Sequence, residues 1–239
     1  MKRVVKVLCL SALFLGMSGA AQAQFRQSVY LNGNIPTGDF ASSVSSSQTT
    51  VPLTYTEVGK DASVGFGLGY RASYRFDVGA GEVAPFANVD LLWNTIGGGW
   101  SEKYSDAYFT TPTYFNIPLF AGVSYIYDDL PWDGIATYGE FGVGTDFLWI
   151  TSEGGKTTIA SVEINNEYAY KANFAFAWMC GFGAYFGHHV SAGLYYYGLG
   201  THNIDYTQNT LDEHNLSAST LPRERRSIGS VLLRIGFHF

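Results

Sequence analysis

The stretch Ser63–Phe76, which reads SVGFGLGYRASYRF, decides the fold of this chain. Every second residue from Val64 onward is apolar or aromatic, and the residues between them are small, or are the cations Arg71 and Arg75. Because successive side chains of a strand point to opposite faces, this alternation predicts a strand with one apolar face. Strands of soluble proteins usually run for about five or six residues. The 14 residues of this stretch are enough to cross a membrane at a tilt.

The same alternation recurs in further segments of the chain. They are Phe25–Gly33, Val83–Thr95, Tyr114–Tyr127, Ile135–Ile150, Tyr170–Phe186, Val190–Gly200 and Arg226–Phe239. The total of eight strands is even, as a bacterial single-chain barrel requires, and the connections alternate between long and short. The sequence therefore predicts an all-β fold, an eight-stranded antiparallel up-and-down transmembrane β-barrel.

The composition agrees with this prediction. The chain has 17 Tyr, 17 Phe, 5 Trp and 28 Gly, and only 14% of its residues are charged, so it is rich in strand formers and poor in helix formers. No stretch after the N-terminus offers 18 consecutive apolar residues. A membrane crossing would therefore use a closed barrel, in which every backbone polar group is paired.

The N-terminus has the pattern of a secretory signal peptide. Three cations among the first six residues precede a short apolar stretch, and Ala21-Gln22-Ala23 supplies small residues at the spacing of a cleavage site. We expect residues 1–23 to be removed and residues 24–239 to form one barrel domain. The remaining 11 basic and 20 acidic residues give a formal charge of −9, which argues against nucleic acid as a partner. Cys180 remains as a single cysteine, so no intramolecular disulfide is expected.

Several short motifs resemble those of a known family. They are the segment Gly33–Phe40, the Gly-x-Gly-x-Gly-Tyr motif at Gly65–Tyr70, Asn116-Ile-Pro118-Leu, the segment Tyr138–Gly144, and the aromatic C-terminus. In this order the chain resembles the small outer-membrane β-barrels of the OmpA/OmpX-like superfamily, particularly the porin-family or opacity-like proteins of Bacteroidetes-type bacteria. The resemblance implies a barrel in the outer membrane of a Gram-negative cell. Members serve as adhesins, membrane anchors or secretion-system parts, so the resemblance chooses no single function.

Seven charged residues fall on the inward face of the predicted strands. They are Arg71, Arg75, Asp90, Glu140, Asp146, Lys171 and Arg234. Charges in a water-poor interior are tolerated when they are paired, so we predict a lumenal ion-pair network that fills and stiffens the barrel. The alternative, an ion-selective path, needs a wider bore than eight strands normally leave.

Three arrangements were candidates for enzymatic or metal chemistry. His189 and Ser191, with Glu140 as an orienting acid, lie beside a short turn at the predicted periplasmic end, which is the wrong rim for an outer-leaflet hydrolase. The pair Asp128-Asp129 also lies in a predicted periplasmic turn. His202, His214, Asp205, Asp212 and Glu213 share one outer loop, but their spacing matches no established metal site. The sequence therefore predicts neither an enzyme nor a cofactor.

The C-terminal strand places alternate apolar residues on one face. They are Val231, Leu233, Ile235, Phe237 and Phe239. This pattern resembles the signal that the outer-membrane insertion machinery recognises. On the outward face, Trp93, Trp149, Trp178 and Tyr196 are expected at the membrane interfaces, and Cys180 is expected to face lipid.

The sequence is compatible with two functions. The favoured hypothesis is a monomeric, non-enzymatic outer-membrane barrel whose surface loops bind an extracellular ligand, or which has a structural or secretion-associated role. The alternative is a narrow, porin-like channel for small solutes.

Overall fold

The computed structural model describes residues 24–42, 60–97, 112–128, 130–159, 162–212, 215–220 and 224–239. The predicted signal peptide, residues 1–23, lies outside them, as do Asp129, Glu213 and His214. Among the described residues, no helix is long and apolar enough to cross a membrane.

Twelve strands are described. They are β1 (Gln24–Gly38), β2 (Gly65–Asp77), β3 (Glu82–Thr95), β4 (Thr113–Tyr127), β5 (Ile135–Ile150), β6 (Glu153–Ile159), β7 (Val162–Tyr170), β8 (Asn173–Phe186), β9 (Val190–Ile204), β10 (Tyr206–Asp212), β11 (Asn215–Thr220) and β12 (Glu224–His238). Eight of them close a barrel in the order β1-β12-β9-β8-β5-β4-β3-β2. Each neighbouring pair is antiparallel, so the predicted eight-stranded barrel is confirmed.

The remaining four strands form a second sheet, in the order β11-β10-β7-β6. Residues 151–168 and 201–225 lie between the strands predicted from the sequence, as two of the long connections, but most of both segments forms two hairpins, β6–β7 and β10–β11. Their middle strands pair with each other, from Tyr206 opposite Tyr170 to Leu211 opposite Asn165. An isolated two-stranded hairpin is only marginally stable in water, and joining two of them gives each hairpin the support of further strands. We call this unit the upper sheet.

The two ends of the barrel differ. At one end, the turn end, strands are joined by the short connections 78–81, 128–134 and 187–189, and the strands containing Gln24 and His238 have their outer termini there. Gly79 and Gly187 have φ values of +93° and +66°, which glycine adopts without steric cost in tight turns. At the other end, the loop end, the strands of the upper sheet are the neighbours along the chain of the barrel strands β5, β8, β9 and β12.

The outer face of the barrel is apolar and exposed. Its aliphatic belt includes Leu31, Leu68, Leu91, Leu119, Val143, Leu194, Leu233 and Ile235. Toward the loop end, Phe66, Trp93, Phe115 and Trp149 lie side by side on four neighbouring strands, with successive ring centroids 4.9, 6.0 and 5.2 Å apart. Such a surface would be unfavourable in water, whereas an apolar band edged by aromatic rings is typical of a barrel in a bilayer.

The outward positions of Trp93, Trp149, Trp178 and Tyr196 were predicted from the alternation, and their side chains are exposed on the outer face. Cys180 is also exposed there. Phe66 belongs to the aromatic row near the loop end of β2. Leu119 lies near the middle of β4, so a substitution there tests contact with the centre of the bilayer more directly than one at Phe66.

We expect Leu119→Arg to destabilise the barrel by ~2–4 kcal/mol, because a cation at the centre of a lipid-facing band loses its hydration. The control is Val64→Arg, which places the same cation just before β2 begins and should cost ~0–1 kcal/mol. The free energy of unfolding of both variants in lipid vesicles, from denaturant titration, gives the comparison. Equal losses would mean that the exposed belt does not face hydrocarbon.

Candidate functional site

The lumen is crossed by a buried ion pair between β2 and β5. The Arg71 guanidinium donates two hydrogen bonds to the Glu140 carboxylate, with N–O distances of 2.6 and 2.8 Å. Ser124 donates a third bond to Glu140, at 2.8 Å. Arg71 also lies over the Phe86 ring, 3.8 Å from its centroid. Because β3 and β4 separate β2 from β5, this pair ties together opposite parts of the barrel wall.

A second pair joins β12 to β3. Nη2 of Arg234 lies 3.1 Å from each carboxylate oxygen of Asp90. Asp90 also accepts hydrogen bonds from Asn32, Asn88 and Tyr197, at 3.0, 2.5 and 2.8 Å. The carboxylate is therefore paired with a cation and surrounded by donors, which is the condition under which buried charges are tolerated.

The other three charges predicted to lie in the lumen differ in their burial and in their partners. Arg75 pairs with Glu82 at 3.2 Å within the β2–β3 hairpin, and both side chains are partly exposed. Asp146 is fully buried, and its carboxylate lies 3.1 Å from Nε2 of His202. Lys171 was expected in the lumen, and this placement is wrong. It lies in the two-residue connection before β8, where the inward alternation has not begun, and its side chain is exposed.

Aromatic rings occupy the space between the ion pairs. The hydroxyl groups of Tyr138 and Tyr195 are 2.8 Å apart, and the guanidinium of Arg234 lies 4.4 Å from the centroid of the Tyr195 ring. Phe120 packs edge-on against Tyr197 with centroids 4.9 Å apart. Eight strands enclose an interior that side chains can fill, and here the rings and ion pairs fill it.

The loop end of the lumen is covered by a short 3-10 turn, Asp39–Ala41. Phe40 of this turn is buried and packs edge-on against Tyr114, with centroids 4.8 Å apart. The turn is held in place because the Asp39 carboxylate accepts a hydrogen bond from the backbone N–H of Ser227, at 2.8 Å. Phe40 therefore acts as an apolar cap over the polar interior.

Near the turn end, one histidine ring bridges two serines. Nδ1 of His238 lies 2.6 Å from the Ser28 hydroxyl, and its Nε2 lies 2.8 Å from the Ser191 hydroxyl. The sequence suggested His189 as the partner of Ser191, but His189 contacts the backbone carbonyl of His238 instead. Glu140 is bound to Arg71, so it orients neither ring. The three bridged side chains are buried, and this favours a structural role over nucleophilic chemistry.

The metal hypothesis receives no geometric support from the described part of the chain. There, no three His, Cys, Asp or Glu side chains form a group that could hold a metal ion. His202 belongs to β9, and its buried ring lies 3.1 Å from the carboxylate of Asp146. His214 and Glu213 are outside the described residues. Of the pair Asp128-Asp129, Asp128 is described and directly follows β4, whereas Asp129 lies outside the described residues.

Comparisons with known proteins identify the class of fold. No protein-family model and no curated protein matches the sequence. Among solved structures, the chain is similar to a major outer membrane protein from Thermus thermophilus, with a TM-score of 0.50, 13% identity, and 90% of this chain and 100% of that chain covered. The outer membrane protein OprG from Pseudomonas aeruginosa gives a TM-score of 0.41 and 10% identity, covering 91% of this chain and 95% of that one. Ail, the attachment invasion locus protein of Yersinia pestis, gives 0.36 and 11%, covering 90% and 97%.

The first of these similarities, together with the closed sheet and its apolar outer belt, shows the fold of a small outer-membrane β-barrel. The identity is too low to carry over any activity.

We expect Glu140→Gln to destabilise the barrel by ~3–5 kcal/mol, because it leaves the buried Arg71 cation without a countercharge. The matched control is Glu82→Gln, which breaks the partly exposed pair with Arg75 and should cost ~0–1 kcal/mol. Free energies of unfolding in the same detergent or lipid give both values. Similar losses would show that the interior of the barrel is as hydrated as its rim.

Proposed function

We propose that this chain is a monomeric, non-enzymatic outer-membrane protein of a Gram-negative cell, exported by its N-terminal segment, and that it binds an extracellular partner through the upper sheet. Short turns face the periplasm in outer-membrane barrels and long connections face outward, which puts the upper sheet outside the cell. The observation that carries the proposal is the second sheet, whose two hairpins lie between barrel strands at the loop end and pair with each other.

The upper sheet is suited to binding because it is anchored at four points. Each of its hairpins begins and ends in a barrel strand, and β7 joins them by pairing with β10. A partner that binds here meets a surface whose backbone is already ordered, so little conformational entropy is lost on binding. Flexible loops of the same length would lack this advantage.

The sheet has two edge strands, and they differ in sequence. Among the described residues, β6 pairs only with β7, and β11 pairs only with β10. β6 contains the charges of Glu153 and Lys156, whereas β11 reads NLSAST and contains neither charge nor proline. Charges and prolines are common protections of exposed edges, so β11 is the edge better suited to accept an added strand from a partner.

The finer family assignment, to the OmpA/OmpX-like porin-family or opacity-like barrels of Bacteroidetes type, is part of this proposal. The motifs quoted from the sequence support it. The further partners we propose are outer-membrane lipid, which matches the exposed belt, and the insertion machinery, which would recognise Val231, Leu233, Ile235, Phe237 and Phe239. A protein of a secretion complex is an alternative occupant of the upper sheet.

Replacing residues 206–220, which include β10 and β11, by a short turn tests the binding role. We expect the barrel to fold normally, seen as an unchanged shift in gel mobility between unheated and boiled samples. Adhesion of cells that express the variant to host-cell layers or to matrix-coated surfaces should fall to the level of cells without the protein. A control that shortens the turn-end connection 128–134 should keep adhesion, and an adhesive variant without β10 and β11 would contradict the proposal.

A channel is the second candidate function, and the side chains buried in the lumen argue against it. We expect purified protein in planar bilayers to give no steady conductance, because the Arg71–Glu140 and Arg234–Asp90 pairs and the tyrosine rings occupy the path. A Phe40→Ala variant that removes the cap should stay closed for the same reason. Steady openings whose ion selectivity changes in Glu140→Gln would establish the channel in place of the binding function.

A further inference from the structure

The seam between β1 and β12 is the place where the barrel closes. Here the first strand of the barrel pairs with the last, from Ser28 opposite His238 to Gly38 opposite Ile228. Other neighbouring barrel strands follow each other in the chain or are joined through one hairpin of the upper sheet. By contrast, β1 is the first and β12 the last of the described strands. Pairing such distant segments has a larger loop-closure entropy cost than any other strand pair of the barrel. We therefore expect this seam to close last during folding and to open first during unfolding.

Three lumenal side-chain bridges cross this seam. Ser28 meets Nδ1 of His238 at 2.6 Å, and Nε of Arg234 donates to the Asn32 side-chain oxygen at 2.8 Å. Ser230 donates to the side-chain oxygen of Asn34. All six side chains are buried, and they alternate along the two strands with residues that point outward. We call these three bridges the seam bridges.

Each seam bridge also reaches a third strand. His238 binds Ser191 of β9, at 2.8 Å. Arg234 binds Asp90 of β3, and the Asn34 side-chain nitrogen donates to Asn94 of β3 at 2.6 Å. The two ends of the chain are therefore fastened to strands on both sides of the seam. A bridge that joined only β1 and β12 would open together with their backbone ladder, but these bridges keep each edge aligned with the rest of the wall.

We propose that the seam bridges form a latch that holds β1 against β12 and sets the rate at which the closed barrel opens. When the seam opens, both edges lose their backbone partners, and the hydrogen bonds that join the six polar side chains across the seam are lost at the same time. The backbone ladder between β1 and β12 therefore cannot separate without breaking the lumenal side-chain bridges. The outward residues of the seam contribute lipid contacts to both strands, whereas the inward bridges are specific to this pairing of strands.

The test compares two buried serines that are matched in environment. Ser28 and Ser124 are each 2% exposed. The Ser28 hydroxyl lies 2.6 Å from Nδ1 of His238, and the Ser124 hydroxyl donates to Glu140 at 2.8 Å. Only Ser28 lies at the seam. The variants Ser28→Ala and Ser124→Ala are made with Cys180→Ser, and unfolding rates are measured after purified, folded protein is transferred into denaturant.

A disulfide across the seam separates a latch from ordinary stabilisation. Gly33 and Leu233 are opposite each other in β1 and β12, and a Cβ built on Gly33 lies 4.0 Å from the Leu233 Cβ, a spacing that suits a disulfide. With the thiols of Gly33→Cys and Leu233→Cys reduced, Ser28→Ala should unfold roughly fivefold faster than its parent, the factor of an ordinary hydrogen bond. With the disulfide formed, the seam cannot open, so Ser28→Ala and its parent should unfold at the same rate.

The control serine decides the outcome. Any acceleration caused by Ser124→Ala should be the same with and without the disulfide, because its bond to Glu140 lies away from the seam. If the disulfide cancels the effects of both serine variants equally, or of neither, the latch is overturned. If Ser28→Ala does not fold, Ser230→Ala takes its place, since it removes the bridge to Asn34 from the opposite strand.

Discussion

Closure of the backbone hydrogen-bond ladder is the constraint on which the rest of this structure depends. In hydrocarbon no water is present to satisfy an exposed N–H or C=O group, so a sheet can cross a membrane only if its first and last strands pair. The pairing of β1 with β12 meets this condition. It also separates the two faces of every strand, because one face then meets lipid and the other meets an enclosed interior. The alternation of Ser63–Phe76 is the direct result of that separation.

The enclosed interior imposes a second requirement, which is that its polar groups must find partners inside the barrel. Arg71 and Arg234 each meet a carboxylate on a distant strand, and hydroxyl and amide groups complete the hydrogen bonds of both carboxylates. Such pairs add less to stability than their charge suggests, because both ions lose their hydration. What they do provide is a defined arrangement, since a shifted strand would separate a buried cation from its countercharge. The register of β2, β3, β5 and β12 is thus coupled through the lumen.

The alternation predicted the strands and the direction of their side chains, but it could not predict which inward residues meet. Period two assigns Asp146 to the interior, whereas its contact with His202 depends on how the curved wall brings β5 near β9. The bridge from Ser28 to His238 joins residues 210 positions apart, so no local pattern could reveal it. Lys171 was misplaced for a related reason, because the alternation of β8 was extended two residues before the strand begins. The upper sheet was missed because its strands are held together by the pairing of two hairpins that lie about 40 residues apart in the chain, from Tyr170 opposite Tyr206 to Asn165 opposite Leu211.

The rule that closes the barrel within the membrane no longer applies above it. Beyond the loop end, water can satisfy the unpaired groups of β6 and β11, so an open sheet edge that hydrocarbon would forbid is tolerated there. The same edge remains able to exchange water for the backbone of another chain, and β11 lacks the charges that usually prevent this. In the barrel interior, the charges of the Arg71–Glu140 and Arg234–Asp90 pairs are buried and bound to each other, so they offer little capacity for binding. The physical properties of the two regions thus differ, with stability arising from the closed barrel and, in the function we propose, recognition arising from the open sheet at its loop end.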